Sequence, residues 1–393
     1  MNVFDIIMPV NDLDTINFDQ IGVCNSYLIV NLGIIFNNIN KVKSHIGKKI
    51  KLMPIIKSNA YGLGLYEITK FLTDNCGIKI IGCATASEAL QLKNSGIPCE
   101  FLILSGVPFN NIPAVVEHGF ITPAYNGDYL NRLNSEAALQ RKRAKVEIKI
   151  ETGLNRIGVL PGDDLDKLLE LIKNLKNIEL TGAYTHFAES EIIDKSFTLH
   201  QFDVFLGALS QIKAKGFKLQ RVHAFNTAAI IWLNHPEITH VRPASLLFGF
   251  DVSESIKNAL NLAESLTWRT FVTNVKTVPA GETVGYNRVF LAEKPTQVVT
   301  VSAGYGDGYP PLLSKRAEML INGKRAKVIS VCMDQILLDA TGIQVKIDDT
   351  VTMLGRDGDE FISAFEIQKL TGVTYRAFTT GISERVKRIY IGY

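Results

Sequence analysis

A single lysine, Lys57, follows an apolar run that begins at Leu52 and has strand character. Small, turn-prone residues come next, and Gly62 and Gly64 allow the backbone to approach a ligand closely. An amine at the end of an apolar strand is partly desolvated, which lowers its pKa and lets it act as a nucleophile or a base, as a Schiff-base lysine must. The Tyr61 hydroxyl, close behind, can donate to an anion. The plainer alternative for Lys57 is a solvated lysine that ends a strand.

The composition is that of an ordinary globular protein: 393 residues, of which 46% are hydrophobic and 21% are charged. This length favours two domains, and one of them has room to be a barrel of roughly 250 residues. The net charge is only +3, and basic and acidic residues are intermixed. Nucleic acid or an anionic membrane is therefore not expected as the main partner, whereas a small-molecule ligand is.

The five cysteines are odd in number and form no Cys-x-x-Cys pair. They are typical of reduced core residues, so we expect neither disulfides nor a zinc site. The seven histidines show no His-x-x-x-His spacing, and no metal is expected. The sequence also shows no export signal and no apolar run long enough to span a membrane, so we expect a cytoplasmic protein.

Apolar runs of strand length alternate with amphipathic segments up to about residue 241, a pattern that predicts βα units and a parallel sheet. Eight such runs predict a closed (β/α)₈ barrel. They are Leu52–Ile56, Ile80–Ala84, Phe101–Leu104, Phe120–Pro123, Val146–Ile150, Leu180–Thr185, Arg221–Ala224 and Thr239–Val241. Such a barrel builds its site at the carboxyl ends of the strands. Polar side chains follow several of these ends, namely Lys57, Arg156, His186, Asn226, Thr227 and Arg242.

After about residue 260 the alternation gives way to short β-rich runs separated by glycine turns, such as Asn322-Gly323 and Asp357-Gly358. This pattern predicts a second, mainly β domain. The expected organisation is an N-terminal arm over 1–20, the barrel over 21–260 and the β domain over 261–393.

The run Lys57-Ser-Asn-Ala-Tyr-Gly62 resembles the pyridoxal-phosphate lysine motif of the alanine racemase family, with Ser58 and Leu63 departing from it. Further motifs resemble those of the family and follow in its order, so the resemblance extends from about Ser26 to the C-terminus. They are Lys149-Ile-Glu-Thr-Gly-Leu-Asn-Arg156, Tyr184-Thr-His186-Phe-Ala, His223-Ala-Phe-Asn226-Thr227, Arg242-Pro-Ala-Ser-Leu-Leu-Phe-Gly249, Val284-Gly-Tyr286, Gly304-Tyr305-Gly-Asp-Gly and Cys332-Met333-Asp-Gln335.

The resemblance implies a cytoplasmic homodimeric racemase that carries pyridoxal 5'-phosphate on Lys57 and supplies a D-amino acid for cell-wall precursors. The implied cofactor-binding residues are Lys57, Tyr61, His186, Asn226, Thr227, Arg242, Ala244 and Ser245. Arg156, Tyr305 and Met333 are implied at the substrate, and Lys149 matches a lysine that is often carbamylated to orient the arginine. Lys57 and Tyr286 of the partner subunit are implied as the two catalytic acid/bases, so that the active sites are shared between subunits.

Arg242 bears most directly on the reaction, because a guanidinium facing the pyridine nitrogen does not readily give up a proton. The ring stays largely unprotonated, and the poorly stabilised carbanion is reprotonated quickly, which favours racemisation over transamination. Racemisation moves a proton between two faces of one carbon, so a second acid/base is expected beside Lys57. A free tyrosine titrates near pH 10, and the resemblance assigns the help that Tyr286 needs to His186 and Arg156.

The pattern breaks at Glu384, where the family has a tyrosine whose hydroxyl binds the cofactor phosphate. A carboxylate there would repel the phosphate, so we expect Glu384 to turn away, with Arg385 or Arg388 as its partner. Leu63 and Ala244 also depart from the family pattern. These departures leave alanine, serine or a broad set of amino acids open as the substrate.

Two other functions remain open at the level of the sequence. A barrel decarboxylase of basic amino acids shares the two-domain plan, but Arg242 stands where those enzymes have an acid. A non-catalytic pyridoxal-phosphate-binding protein would need no second acid/base, and Tyr286 argues against it.

Overall fold

The computed structural model describes residues 6–7, 22–250 and 259–393. Its first strands are β1 (Ile6–Ile7), β2 (Ser26–Asn31), β3 (Lys51–Leu52), β4 (Ile80–Cys83), β5 (Glu100–Ile103), β6 (Thr122–Ala124), β7 (Ala144–Lys149), β8 (Ile178–Tyr184), β9 (Arg221–His223) and β10 (His240–Val241). The helices that accompany them are α1 (Leu32–Ile46), α2 (Leu65–Asn75), α3 (Ala86–Asn94), α4 (Ile112–His118), α5 (Gly127–Leu139), α6 (Asp163–Asn174), α7 (Ser196–Ala214), α8 (Ala229–Trp232) and α9 (Ser245–Phe248).

Strands β3 to β10 form the barrel, which closes because β10 pairs in parallel with β3. The four strands from β6 to β9 form one parallel sheet, and β4 pairs with β5. Parallel bridges from Ile55 to Gly82 and from Leu102 to Ile121 join the pieces. The predicted (β/α)₈ barrel is confirmed, and each of the eight predicted runs overlaps one of these strands.

Helix α6 shows why the intervening segments are helical. Leu165, Leu168, Leu169 and Ile172 recur at helical spacing and are buried. Three aspartates occupy its first turn, where the partial positive charge of the helix N-terminus stabilises them. Such apolar faces cover the outside of the barrel, which is why its strands are apolar on both faces.

The segment after β3 is a single left-handed turn. Ser58, Asn59, Ala60 and Tyr61 have φ angles of 51°, 55°, 53° and 58°. A left-handed conformation costs L-residues roughly 1–2 kcal/mol each, so the surroundings must hold it. They do so through the Glu88 carboxylate, which accepts from Ser58 N at 2.7 Å, and through Asn59 Oδ1, which accepts from Leu65 N at 2.7 Å. Lys57 is thereby presented at the barrel mouth.

The C-terminal region is mainly β, as predicted. Its strands are β11 (Leu266–Val278), β12 (Thr283–Val284), β13 (Phe290–Leu291), β14 (Thr296–Val301), β15 (Glu318–Ile321), β16 (Lys324–Val331), β17 (Ile336–Asp339), β18 (Thr350–Asp357), β19 (Glu360–Ile362) and β20 (Lys387–Ile391). Its helices are α10 (Ala364–Thr371) and α11 (Tyr375–Thr380), and short 3₁₀ turns cover Tyr286–Arg288, Tyr305–Asp307 and Pro311–Leu313. Most of these strands form one sheet, in which β2 lies between β20 and β11.

The expected domain boundaries stay predictions, but β2 differs from its expected place in the barrel. It pairs antiparallel with β11 and parallel with β20, and these two partners satisfy its backbone groups. Strand β2 therefore belongs to the β sheet, and the chain passes from it through α1 to the barrel. Apart from β1, which pairs with β20, the expected arm over 1–20 lies outside the described residues. Within the described ranges, no helix combines the length and the apolar character needed to cross a membrane.

Candidate active site

A cavity of about 650 Å³ lies at the carboxyl end of the barrel strands. It gathers most of the predicted barrel site residues, namely Lys57, Tyr61, Lys149, Arg156, His186, Asn226, Thr227, Arg242 and Ala244. Ser245 is buried behind Thr227 and does not line this cavity. Residues far apart in the sequence thus meet at the end of the barrel where such folds build their sites.

Lys57 is half-buried in this cavity and is surrounded by positive charge. Burial lowers the pKa of Lys57, and the charges of Arg156 and Arg376 lower it further, against the opposing charge of Glu88. The neutral, nucleophilic amine is therefore more populated than on a free lysine. Tyr61 is also buried, which raises its pKa and keeps its hydroxyl protonated as a hydrogen-bond donor.

Arg242 is fixed from several sides in the core of the barrel. Its guanidinium donates to the main-chain oxygens of Thr185 at 2.7 Å, His223 at 2.9 Å and Ala224 at 3.0 Å. It also lies 2.8 Å from His223 Nδ1 and 3.3 Å from His186 Nδ1. Burial lowers its pKa to about 10, so Arg242 stays charged at neutral pH.

Behind Arg242, His223, Glu147 and Arg221 form a buried hydrogen-bonded network. His223 Nε2 lies 2.6 Å from a Glu147 oxygen, and Arg221 Nε donates to the other oxygen of that carboxylate. Burial alone raises the pKa of Glu147, but His223 and Arg221 outweigh it and keep the carboxylate charged. Burial lowers the pKa of His223 to about 4, so the ring is neutral. Its Nε2–H donates to Glu147, and its Nδ1 accepts from Arg242.

The sequence did not single out Glu147 or His223 as functional. A charged residue inside the apolar run Val146–Ile150 was the available signal, because a carboxylate is seldom buried without a partner. Arg376, which lines the cavity from α11, was also missed, and no local pattern marks it.

His186 lies beside Arg242 and is half-buried in the cavity wall. Burial lowers its pKa well below the ordinary value, and the charge of Arg242 lowers it further. Because His186 Nδ1 faces an Arg242 N–H, that nitrogen accepts and the proton of the neutral ring lies on Nε2.

The Lys149 side chain is buried, and its Nζ donates a hydrogen bond to the main-chain oxygen of Ile150 at 3.2 Å. Its nitrogen lies 5.4 Å from the centre of the Tyr184 ring. Burial lowers the pKa of Lys149 to about 7, with a further contribution from Arg242. A large fraction of this amine is therefore neutral near physiological pH.

Polar groups around Thr227 form another part of the cavity wall. Thr227 Oγ1 accepts from Ala244 N at 3.1 Å. Asn226 Oδ1 accepts from Ser190 Oγ at 2.8 Å and from Ala229 N, the first backbone N–H of α8, at 3.1 Å. Among the described residues, the Thr227 hydroxyl only accepts hydrogen bonds, so its own proton is available for a ligand.

Three predicted site residues, Tyr286, Tyr305 and Met333, do not line this cavity. They lie on the β domain with 74%, 44% and 54% of their surfaces exposed, and we call them the β-domain face. Tyr305 N donates to Cys332 O at 2.9 Å, which joins the turns that carry Tyr305 and Met333. Arg385 braces both turns, since its guanidinium donates to Asp307 at 2.7 Å and to Asp334 at 2.7 Å.

Glu384 is exposed and lies outside the cavity lining, as expected of a carboxylate that would repel an anion. Its two suggested partners are engaged elsewhere. Arg385 binds Asp307 and Asp334, and Arg388 donates to main-chain oxygens that include Gly62 O at 3.0 Å.

Together, the fold and the cavity define a two-domain barrel enzyme, with a partly desolvated amine and a set of fixed cations at the carboxyl end of its strands. The family model "Alanine racemase, N-terminal domain" matches residues 30–252, and "Alanine racemase, C-terminal domain" matches residues 265–390. The chain belongs to the alanine racemase family.

Individual relatives agree with this assignment. The chain is 37% identical to an alanine racemase of Carboxydothermus hydrogenoformans, over 92% of this chain and 98% of the relative. It is 35% identical to alanine racemase 1 of Caldanaerobacter subterraneus, over 94% of this chain and 95% of the relative. Among solved structures, the alanine racemase of Bacillus anthracis with bound L-Ala-P is similar at a TM-score of 0.89 and 29% identity, covering 94% of this chain and 96% of that one.

Proposed function

We propose that this protein is a pyridoxal-phosphate-dependent racemase that interconverts L- and D-alanine. The observation that carries the proposal is Arg242, which lines the cavity containing the Lys57 amine and is held by carbonyl oxygens and by neutral His223. The decarboxylase alternative requires an acid at this position, and the family assignment also opposes it.

The cavity residues fit pyridoxal phosphate by their chemistry. The Lys57 amine can react with the aldehyde, and the Arg242 N–H groups can donate to the ring nitrogen. The Tyr61 and Thr227 hydroxyls can donate to the phosphate. When bound, this cofactor acidifies the α-proton of an attached amino acid. The surrounding cations leave the cavity well suited to an anionic ligand.

Arg242 sets which reaction follows. Because its guanidinium remains charged near neutral pH, with a pKa lowered only to about 10, it donates to a facing nitrogen without transferring a proton. The neutral state of His223, behind it, preserves that arrangement, since an imidazolium would repel the guanidinium. These residues favour rapid return of the α-proton and hence racemisation over transamination.

We assign the two acid/base roles to Lys57 and to Tyr286 of the partner subunit. Lys57 Nζ takes or returns the proton on one face of the substrate carbon, and the phenol oxygen does so on the other. Tyr286 does not line its own barrel's cavity and is 74% exposed, which supports its delivery to a second copy of the chain. Tyr305 and Met333, which are also exposed on the β domain, suit a homodimer contact from which they would approach the substrate.

Arg156 is our candidate for the substrate carboxylate, and Lys149 for its carbamylated neighbour. A lysine with a pKa near 7 has the neutral amine that adds carbon dioxide, and the resulting anion would face Arg242 and Arg156. With ¹³C-labelled bicarbonate, the protein should show a carbamate resonance that Lys149→Met lacks. The same resonance in both proteins would place the modification elsewhere.

The decisive experiment follows optical rotation and α-proton exchange in heavy water for the common amino acids. Either alanine enantiomer should lose rotation while gaining deuterium. Exchange with serine alone would move the specificity to serine, and exchange with many amino acids would indicate a broad racemase. Carbon dioxide release would indicate a decarboxylase, and cofactor binding without turnover would indicate a carrier.

A cytoplasmic location and supply of D-alanine to the cell wall belong to the same proposal. The five cysteines are all free, which suits a reducing compartment. Fractionation followed by immunodetection tests the location directly.

A further inference from the structure

Arg376 is a cation inside the active-site cavity to which no motif assigns a role. It is the second residue of α11 and lines the same cavity as Lys57, Tyr61 and Thr227. Its charge contributes to the lowered pKa of Lys57 and opposes part of the rise that burial causes in the pKa of Tyr61. By contrast, Glu384, at the position where the family has its phosphate-binding tyrosine, lies outside the cavity lining.

Helix α11 is held firmly against the Lys57 turn. A Cβ placed on Gly62 would lie only 2.0 Å from Thr379 O, so the two backbones are in direct contact. The buried Arg388 guanidinium donates to Gly62 O at 3.0 Å and to Ile382 O at 2.9 Å, which joins the turn to the segment after α11. The backbone position of Arg376 relative to Lys57 is therefore fixed by packing.

The Arg376 side chain is braced across the cavity. Its Nη2 donates to Glu191 Oε1 at 3.1 Å, and Glu191 lies on the cavity wall that follows β8. Both side chains are 34% exposed. Among the described residues, the Arg376 guanidinium donates a hydrogen bond only to the Glu191 carboxylate. A guanidinium carries five N–H groups. Donors therefore remain for an anion.

We propose that Arg376 binds the phosphate group of the cofactor and replaces the hydroxyl that Glu384 cannot supply. The inference rests on the proposed function, because it takes pyridoxal phosphate as the ligand. The Tyr61 and Thr227 hydroxyls and the Arg376 guanidinium then form a donor set whose charge complements a phosphate dianion. Glu191 sets the orientation of the guanidinium and leaves its other N–H groups to the ligand.

The test compares binding of pyridoxal 5'-phosphate with that of pyridoxal, which lacks the phosphate. The full-length protein is stripped of cofactor with hydroxylamine and titrated with each aldehyde by absorbance. Arg376→Gln should weaken pyridoxal phosphate binding by about 10- to 100-fold and change pyridoxal binding by less than about twofold. Arg376→Lys, which keeps the charge but loses the fork of donors, should recover part of the preference.

Glu384→Gln is the matched control, since it removes one charge from the same segment outside the cavity. It should leave the ratio of the two affinities unchanged. An Arg376→Gln protein that keeps the wild-type ratio, or loses affinity for both aldehydes equally, would overturn the inference. So would a raised KM for alanine with an unchanged ratio, because Arg376 would then act on the substrate.

The wild-type protein separates this inference from the proposed function. If it bound neither aldehyde, the cofactor assignment itself would fail. If it bound pyridoxal phosphate in preference to pyridoxal and Arg376→Gln shared that preference, only the role of Arg376 would fail.

Discussion

The barrel mouth and the β-domain face hold their candidate catalytic groups differently. Arg242, in the barrel, is 3% exposed and donates to three main-chain oxygens. Tyr286, on the β domain, is 74% exposed and does not line the cavity. The barrel thus positions its groups within one chain, whereas Tyr286, in our proposal, completes the site of a second copy.

The strongest test of this contrast mixes two inactive variants. Lys57→Ala removes the amine, and Tyr286→Phe removes the phenol hydroxyl. The racemisation rate of each variant homodimer should therefore be at least about 100-fold lower than that of wild type. In a mixed dimer, one of the two sites receives both wild-type groups if tyrosines are exchanged between subunits. Co-refolding the variants should therefore restore activity, measured by optical rotation.

No recovery, despite mixed dimers confirmed by mass, would place both groups in one chain and end the contrast. Tyr286→Phe should also bind pyridoxal phosphate normally. Full turnover by that variant would favour the non-catalytic carrier.

Arg242→Gln tests how much of the barrel's order depends on one side chain. The substitution leaves buried carbonyl oxygens of Thr185, His223 and Ala224 short of donors, so the free energy of unfolding should fall by about 2–5 kcal/mol. Urea denaturation measures this loss. The exposed Arg356→Gln is the matched control, with an expected change within about 0.5 kcal/mol. Equal small losses of unfolding free energy in both variants would show that the barrel does not depend on the Arg242 hydrogen bonds.

The pH dependence of stability tests how strongly the barrel buries the Lys149 amine. Its pKa is about 7 in the folded state, against 10.5 as the reference, so between these values the unfolded chain binds the extra proton. The free energy of unfolding should therefore rise with pH in this window, by at most about 1.4 kcal/mol per pH unit from this group. Urea denaturation in carbon-dioxide-free buffer at pH 7 and pH 9 should show a rise about 2 kcal/mol larger for wild type than for Lys149→Met.

The smallest expected effect is at Arg385, on the β domain. Arg385→Gln loosens the turns that carry Tyr305 and Met333, but the arginine is partly exposed, so the loss of stability should be about 1 kcal/mol. A rise in KM larger than the fall in kcat would support a role of these turns at the substrate. A fall in stability matching that of Arg242→Gln would show that the β domain is no less dependent on single contacts than the barrel.

Local patterns in the sequence were sufficient for the barrel strands and for several residues at their ends. Lys57, His186 and Arg242 each follow an apolar run directly, and a parallel barrel brings all its carboxyl ends to one rim. The family motifs added expected roles to these positions. The domain of β2 was not predictable in this way, because a short, mostly apolar strand pairs equally well in either sheet.

What the sequence determined by itself was the order of βα units, the later β domain and the polar residues placed at strand ends, since these follow from spacing and burial along the chain. Only the tertiary structure decided that Glu147 and His223 lie behind Arg242, that Tyr286 does not line the cavity of its own chain, and that Arg376 lines the same cavity as Lys57. The physical reason is that these positions depend on packing between segments distant in sequence, and no local periodicity records such contacts.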